Sequence, residues 1–169
     1  MNVTTFFSDK KHNSEKIKNM FGILLKYRPL WVIILNDKQL TDELIEWLKT
    51  LNAGFIIYLE NSILKKVSKN IVITWKIEDT YLSGFDFIIC DNEIKNMRKY
   101  LEKWIVPIII KNNYMSSIFK EFDPLKNEWN VYFYYESNKW SIFYSIVRYL
   151  ENYKFPFDNK NLVNNILKI

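Results

Sequence analysis

The chain has 169 residues and a formal net charge of +5, and 49% of its residues are hydrophobic and 17% aromatic. This composition excludes a disordered polar tail or a low-complexity linker, and it is typical of one domain with a sizeable core. The longest apolar runs, residues 29–35 and 104–110, are too short to cross a bilayer, and the first residues lack the order of a signal peptide, so we predict a cytoplasmic protein.

The first half of the chain alternates between helical and strand patterns. Apolar residues at helical spacing predict a helix over residues 14–26, after a polar leader over residues 1–13 that can be flexible. A continuous apolar run then predicts a buried strand at 30–35, and Thr41 is the predicted cap of an amphipathic helix that ends near Asn52. Further strands are predicted at 55–59 and 71–75, with a short helix between them at 63–67.

The second half continues this alternation. Strands are predicted at residues 85–90, 106–110 and 131–135, and helices from 91 or 92 to 103 and at 116–121, 139–153 and 161–167. Strands separated by helices are most simply parallel neighbours joined by crossovers. The sequence therefore predicts an α/β fold, a single Rossmann-like domain over residues 1–169 with an open, mostly parallel sheet and helices on both faces. Ligands of such sheets bind outside the carboxyl ends of the strands, here residues 35–39, 60–61, 91–92 and 111–114.

Few residues are available for metal or redox chemistry. Cys90 and His12 are the only cysteine and histidine, which excludes an internal disulfide and a multi-histidine metal site, and we predict no metal and no cofactor. Cys90 ends an apolar run and is typical of a buried strand thiol.

The positive net charge could attract an anionic partner, but A/T-rich coding would give the same excess of lysine and asparagine. We therefore expect no nucleic-acid partner.

Several strings resemble one enzyme family. The most specific is WSIFYSIVRYLENY at residues 140–153, which is similar to the W-A-L-x-x-A-I-V-R-A-L-E-x-Y helix of glycogen and starch synthases. SGFDF at 83–87 resembles their A-G-A-D-F strand opening, and VPII at 106–109 resembles their T-V-P-I-V strand. Over nearly its whole length the chain resembles the C-terminal, nucleotide-sugar-binding half of these GT-B-type glucosyltransferases. The acceptor-binding N-terminal half has no counterpart in the chain.

The loops that bind the donor in this family are poorly matched. The resemblance implies an Arg and a Lys on the diphosphate, in an S-R-L-T-x-Q-K-G loop after the first strand; here the loop is shorter, and Lys38 is its only candidate. The chain is also too short for the P-S-R-x-E-P-C-G loop, and Glu93 at that place is typical of the first turn of a helix. The candidate nucleotide-sugar-binding residues are therefore Lys38, Asn92, Lys111 and Asn112, with no catalytic residue.

Bulky rings stand where the family has glycine. Tyr114 occupies a position of the T-G-G-L turn, where a side chain would keep a phosphate away from the backbone. Two further family glycines correspond to Trp104 and Trp129, and a third to Trp75. One hypothesis is a UGA codon that the source organism reads as glycine, which mass spectrometry of the native protein would test.

Family-like packing segments around an eroded pocket predict a degenerate domain. We predict a non-catalytic relative of the glycogen or starch synthase C-terminal domain that acts by binding, with a separate acceptor-binding domain or chain as its partner. One alternative is the donor-binding half of a split ADP- or UDP-glucose-dependent glucosyltransferase, whose ligand is a sugar nucleotide. A further alternative is a structural or nucleic-acid-associated protein.

Overall fold

The computed structural model describes residues 3–91, 94–123, 125–126 and 128–166, and the side chains of residues 3–7 and 94–96 are outside this description. The described helices are α1 Val3–Phe21, α2 Lys38–Leu48, α3 Ile94–Leu101, α4 Asn113–Ile118, α5 Lys139–Tyr153 and α6 Pro156–Ile166, with a 3₁₀ helix at Asp79–Gly84. The described strands are β1 Leu30–Ile34, β2 Gly54–Tyr58, β3 Lys65–Lys66, β4 Ile71–Thr74, β5 Phe87–Cys90, β6 Val106–Ile110 and β7 Tyr132–Tyr134.

The described strands form one seven-stranded sheet in the order β3-β4-β2-β1-β5-β6-β7. All neighbours are parallel except β3, which runs antiparallel to β4 at the edge. Numbered in chain order, the six parallel strands follow the sequence 3-2-1-4-5-6 across the sheet, which is the order of Rossmann folds. The predicted Rossmann-like, mostly parallel sheet is therefore confirmed.

Helices cover both faces of the sheet, as predicted. Trp31 and Ile33 of β1 belong to a core that includes residues of α2, α5 and α6. Leu30 and Val32 point to the opposite face, in a core that includes residues of α1, α3 and α4. Because both faces are buried, the parallel strands are continuous apolar runs, which is why the sequence shows them clearly.

Helix α1 begins earlier than the sequence predicts. Its first residue is Val3, whereas the predicted helix starts at residue 14 and follows a polar leader. The described part of this leader includes Lys10, whose side chain is buried. A Cβ on Gly84 would lie 2.7 Å from backbone atoms of Asn13 and Ser14, so the α1 backbone lies directly against this glycine.

Two local predictions are wrong, and one element was not predicted. The short helix predicted at 63–67 is wrong, because Lys65–Lys66 forms strand β3. Helix α2 begins at Lys38 with Asp37 as its N-cap, so Thr41 is not the cap. The 3₁₀ helix was not predicted. None of the described helices is long and apolar enough to span a membrane.

Candidate ligand-binding site at the carboxyl edge of the sheet

The chain changes direction between β1 and β5. From β1 it crosses to β2 on one side, and from β5 it crosses to β6 on the other side. The loops that follow these two strands therefore separate, and ligands of open parallel sheets bind in the crevice that results. We call the side of the sheet where the parallel strands end the carboxyl edge, and this crevice the switch point.

Two carboxylates accept hydrogen bonds from backbone N–H groups at the switch point. Asp37 caps α2, and its Oδ1 accepts from the backbone nitrogen of Leu40 at 3.0 Å. Asp91 Oδ2 accepts from the backbone nitrogen of Asn36 at 2.8 Å. Its other carboxylate oxygen, Oδ1, is buried and has no hydrogen-bond partner among the described residues. Negative charge therefore stands where many folds of this type hold a phosphate.

A cleft of about 340 Å³ opens beside the switch point. It lies at the carboxyl edge, on the face of the sheet that α1 and α3 cover. Its volume is at the lower end of the range for small-molecule sites. We call it the carboxyl-edge cleft; its lining residues are Ile34, Tyr58, Trp75, Lys76, Ile77, Leu82, Ile88, Cys90, Met97, Lys99 and Tyr100.

The lining of the carboxyl-edge cleft combines aromatic rings with cationic side chains. Tyr58, Trp75 and Tyr100 supply flat ring surfaces. Lys99 donates a 3.4 Å hydrogen bond to Asp79 but is half-exposed, so this ion pair is weak. Burial raises the pKa of Tyr100 to about 12, so its hydroxyl keeps the proton at neutral pH and can donate. The cleft can therefore hold a planar group with a hydrogen-bond acceptor.

Metal chemistry has no support in the described part of the chain. It contains no cluster of three or more histidine, cysteine, aspartate or glutamate residues that could hold a metal ion. The thiol of Cys90 is buried at the end of β5, as the sequence predicts.

Three of the four predicted site residues, Lys38, Lys111 and Asn112, are not in the lining of the carboxyl-edge cleft. Lys38 is the exposed first residue of α2, after β1, whereas Lys111 and Asn112 follow β6. Strand β5 lies between these two strands, so the two positions are about 10 Å apart across the sheet. The side chain of Asn112 caps α4 by accepting from the backbone nitrogen of Met115 at 2.8 Å. Asn92 lies outside the described residues.

Lys111 belongs to an ion cluster that the sequence analysis missed. Its Nζ is 3.5 Å from Glu121 and 4.8 Å from the centre of the Tyr135 ring. Glu121 also accepts from Tyr135 at 2.8 Å and from Arg148 at 3.2 Å. Loss of hydration lowers the pKa of Lys111, but the contacts with Tyr135 and Glu121 outweigh this, and the pKa is raised. The cluster links the residues that directly follow β6 and β7 with Glu121 and with α5.

The sequence analysis also missed the residues of the carboxyl-edge cleft. Tyr58 ends β2 and Trp75 directly follows β4. The strands predicted at 55–59 and 71–75 end within one residue of them, so this position could have identified both residues. Lys99 and Tyr100 lie on α3, and the sequence gives no indication that this helix faces β4.

The three tryptophans at family glycine positions differ in environment. Trp104 has a φ of +59°, in the left-handed region that glycine adopts readily. Trp129 is buried in the core beside Phe122, and Trp75 is half-exposed. Only the backbone of Trp104 therefore favours glycine among these three residues.

Known structures share this fold. The chain matches the glycotransferase of kitacinnamycin with a TM-score of 0.55 and 8% identity, over 86% of this chain and 40% of that one. It matches the spinosyn forosaminyltransferase SpnP with a TM-score of 0.50 and 10% identity, over 85% of this chain and 40% of that one. No protein-family model and no curated protein matches the sequence. The chain therefore has the fold of a GT-B glycosyltransferase half and spans less than half the length of these enzymes.

Proposed function

We propose that this glycosyltransferase-like domain transfers no sugar by itself and acts by binding. The observation that carries the proposal is the occupation of the switch point by Asp37 and Asp91. A diphosphate there would need the N–H groups of Asn36 and Leu40, which these carboxylates already hold. Two like charges about 4 Å apart near a protein surface repel by roughly 1 to 4 kcal/mol. A donor diphosphate is therefore disfavoured at this position.

The cations available at the switch point are too few to reverse this effect. Lys38 is exposed at the start of α2, and Lys111 is paired with Glu121. Departure of a sugar from a diphosphate requires preorganised positive charge on the leaving group. A domain with two carboxylates and one exposed lysine at this position lacks that charge.

We further propose that the domain is a degenerate relative of the glycogen and starch synthase C-terminal half. The strings that resemble this family serve packing in the structure: Gly84 contacts α1, and Asp86 accepts from the backbone nitrogen of Leu30 at 2.8 Å. In α5, the residues Ile142 and Ile146 are buried in the core. The loops that differ from the family lie at the carboxyl edge. Retained packing with changed loops is expected of a domain that has kept its fold and lost a site.

The carboxyl-edge cleft favours a second candidate function. Its rings could hold the base of a sugar nucleotide, with Lys76 and Lys99 near its phosphates. The chain would then be the donor-binding half of a split ADP- or UDP-glucose-dependent glucosyltransferase. A separate chain would supply the acceptor-binding half.

An incorporation assay tests the first proposal. Purified protein is incubated with labelled ADP-glucose or UDP-glucose and glycogen, and label in the polysaccharide is measured over time. We expect no incorporation above a protein-free control. Steady incorporation would refute the proposal that the chain transfers no sugar by itself.

Calorimetry separates the two candidates. Titration with ADP-glucose should show no binding at about 1 mM, where even a weak complex of about −4 kcal/mol is half-saturated. Saturable binding that Trp75→Ala or Lys99→Gln abolishes, and that Lys38→Gln leaves unchanged, would instead favour the split enzyme with the base in the carboxyl-edge cleft.

A further inference from the structure

A second cavity lies at the opposite side of the sheet, where the parallel strands begin. We call this side the amino edge. The cavity measures about 200 Å³ and lies at the first residues of β5 and β6. We call it the amino-edge cavity; its lining residues are Lys10, Lys11, Ser14, Arg28, Asp86, Phe87, Trp104, Val106, Tyr153, Asn159 and Val163.

The charged lining of the amino-edge cavity is mainly positive. Lys10, Lys11 and Arg28 contribute three positive charges and Asp86 one negative charge, so the lining carries a net +2. The carboxylate of Asp86 is already engaged in the fold: Oδ2 accepts from the backbone nitrogen of Leu30 at 2.8 Å, and Oδ1 is 4.0 Å from Lys10 Nζ. Outside the lining, Glu15 accepts from Arg28 at 3.3 Å, and Lys18 adds a buried cation near Asp86. With these neighbours included, four cations lie near two carboxylates, so an excess of positive charge is left.

Burial makes this excess of positive charge unfavourable without an anion. The side chain of Lys10 is buried and donates to the backbone oxygen of Phe85. Lys18, on the next turns of α1, is 1% exposed. Burial lowers the pKa of both lysines, and the charges of Asp86 and Glu15 only partly oppose this for Lys18, to which Arg28 adds repulsion. A bound anion would stabilise these charged groups.

Neutral donors complete the lining. Ser14 and Tyr153 each offer a hydroxyl. The charge of Asp86, together with burial, raises the pKa of Tyr153, so this hydroxyl is protonated at neutral pH. The Oδ1 of Asn159 accepts from Tyr149, so the group that Asn159 can offer a ligand is its amide NH₂. The cavity thus presents donors to a ligand from α1, α5 and α6.

We propose that the amino-edge cavity binds a phosphate group, as free phosphate or as a small phosphate monoester. Its volume is below the roughly 300–1,000 Å³ of sites for drug-sized ligands, which fits a small anion. Guanidinium and ammonium groups with hydroxyl and amide donors are the usual partners of phosphate oxygens. This site is at the opposite edge from the carboxyl-edge cleft, so it does not depend on the proposed function.

A methyl NMR titration tests the site. Val106 and Val163 line the cavity, and their methyl signals are followed while inorganic phosphate is added, and separately glycerol phosphate. We expect saturable shifts at these methyl groups with at least one of the two ligands. Tighter binding of glycerol phosphate would indicate a monoester as ligand, and equal or tighter binding of inorganic phosphate would indicate the free ion.

Variants locate the binding groups. Lys11 is exposed and the Arg28 side chain is 47% exposed, so Lys11→Gln and Arg28→Gln should fold normally, which their methyl spectra would verify. Each should weaken phosphate binding about tenfold, equivalent to about 1.4 kcal/mol. Lys16→Gln, an exposed lysine of the same helix that is not in the cavity lining, is the matched control and should bind as the wild type. Absence of saturable shifts, or equal weakening in Lys16→Gln, would overturn the proposal.

Discussion

The switch point and the amino-edge cavity carry opposite charge arrangements. At the switch point, Asp37 and Asp91 accept hydrogen bonds from the backbone N–H groups of Leu40 and Asn36. The lining of the amino-edge cavity carries three cations and the carboxylate of Asp86, and Glu15 outside the lining pairs with Arg28. A parallel sheet thus fixes where crevices form, whereas a few side chains at the loops set the charge of each crevice.

The two edges also differ in what their matched sequence strings do. The SGFDF string at the amino edge holds α1 through Gly84 and β1 through Asp86. At the carboxyl edge, Asp37 and Asn112 cap helices, so polar side chains that could bind a ligand stabilise local structure instead. The matched string at the amino edge therefore serves packing, whereas polar side chains at the carboxyl edge serve as helix caps.

The largest expected effect is at the contact that supports the amino edge. Gly84→Ala would place a Cβ 2.7 Å from the backbone of Asn13 and Ser14, so α1 must move. We expect a loss of about 3 kcal/mol in the free energy of unfolding, at the upper end for an overpacked site, measured in urea. The matched control is Gly54→Ala, whose nearest contact is the flexible end of Leu30 at 2.9 Å, and it should cost less. Equal losses would contradict the close packing of α1 on Gly84.

The next effect concerns the buried charge at the amino edge. Burial lowers the pKa of Lys18 from 10.5 to about 8. Between these two values the unfolded chain binds more protons than the folded chain, so stability should rise with pH from about 8 towards 10.5. Lys18→Met removes the buried charge, so at pH 7 it should be more stable than the wild type by about 2 kcal/mol. Its free energy of unfolding should also rise less with pH.

The pH experiment is restricted to pH 7 to 9 and includes a control variant. Buried tyrosines such as Tyr100, whose pKa is about 12, oppose the rise above pH 10, because only the unfolded chain then loses their protons. Unfolding is therefore compared at pH 7, 8 and 9 by urea titration. Lys16→Met, an exposed lysine of α1, should follow the wild type. A Lys18→Met variant with unchanged stability and slope would contradict the account of Lys18.

A smaller effect is expected at the carboxyl edge. Asp37→Ala removes the N-cap of α2 and should cost about 1 kcal/mol in urea unfolding. Asp42→Ala, an exposed acidic residue of the same helix, is the control and should have little effect. If Asp37→Ala costs nothing, the carboxylate does not hold the N–H of Leu40, and the difference between the edges weakens.

The smallest effect is expected at Trp104, which lines the amino-edge cavity. Glycine relieves about 1 kcal/mol of strain at a φ of +59°, and the lost packing of the indole offsets this gain. Trp104→Gly should therefore change the free energy of unfolding by less than about 1 kcal/mol. Trp129→Gly, at a buried core position, should cost about 3 to 5 kcal/mol. Similar losses in both variants would contradict the assigned backbone strain.

The fold could be predicted because buried parallel strands are continuous apolar runs. The strand ending at Cys90 is an example, since both of its faces are covered. The N-terminal turns of α1 could not be predicted, because Lys10 lies on the buried side of the helix and breaks the apolar periodicity. The edge of the sheet that bears the candidate site can be predicted from strand direction alone. The lining of the carboxyl-edge cleft cannot be predicted in this way, because Lys99 reaches it only through the packing of α3 against the segment after β4.

We propose that the switch point disfavours a diphosphate because carboxylates occupy the N–H groups of Asn36 and Leu40. The most direct measurement is an amide NMR titration with ADP, following the backbone signals of Asn36 and Leu40. Up to about 1 mM ADP, where a weak complex of about −4 kcal/mol would be half-formed, both signals should stay unchanged. Saturable shifts of both amides would contradict the account, because they would place the diphosphate where Asp37 and Asp91 stand.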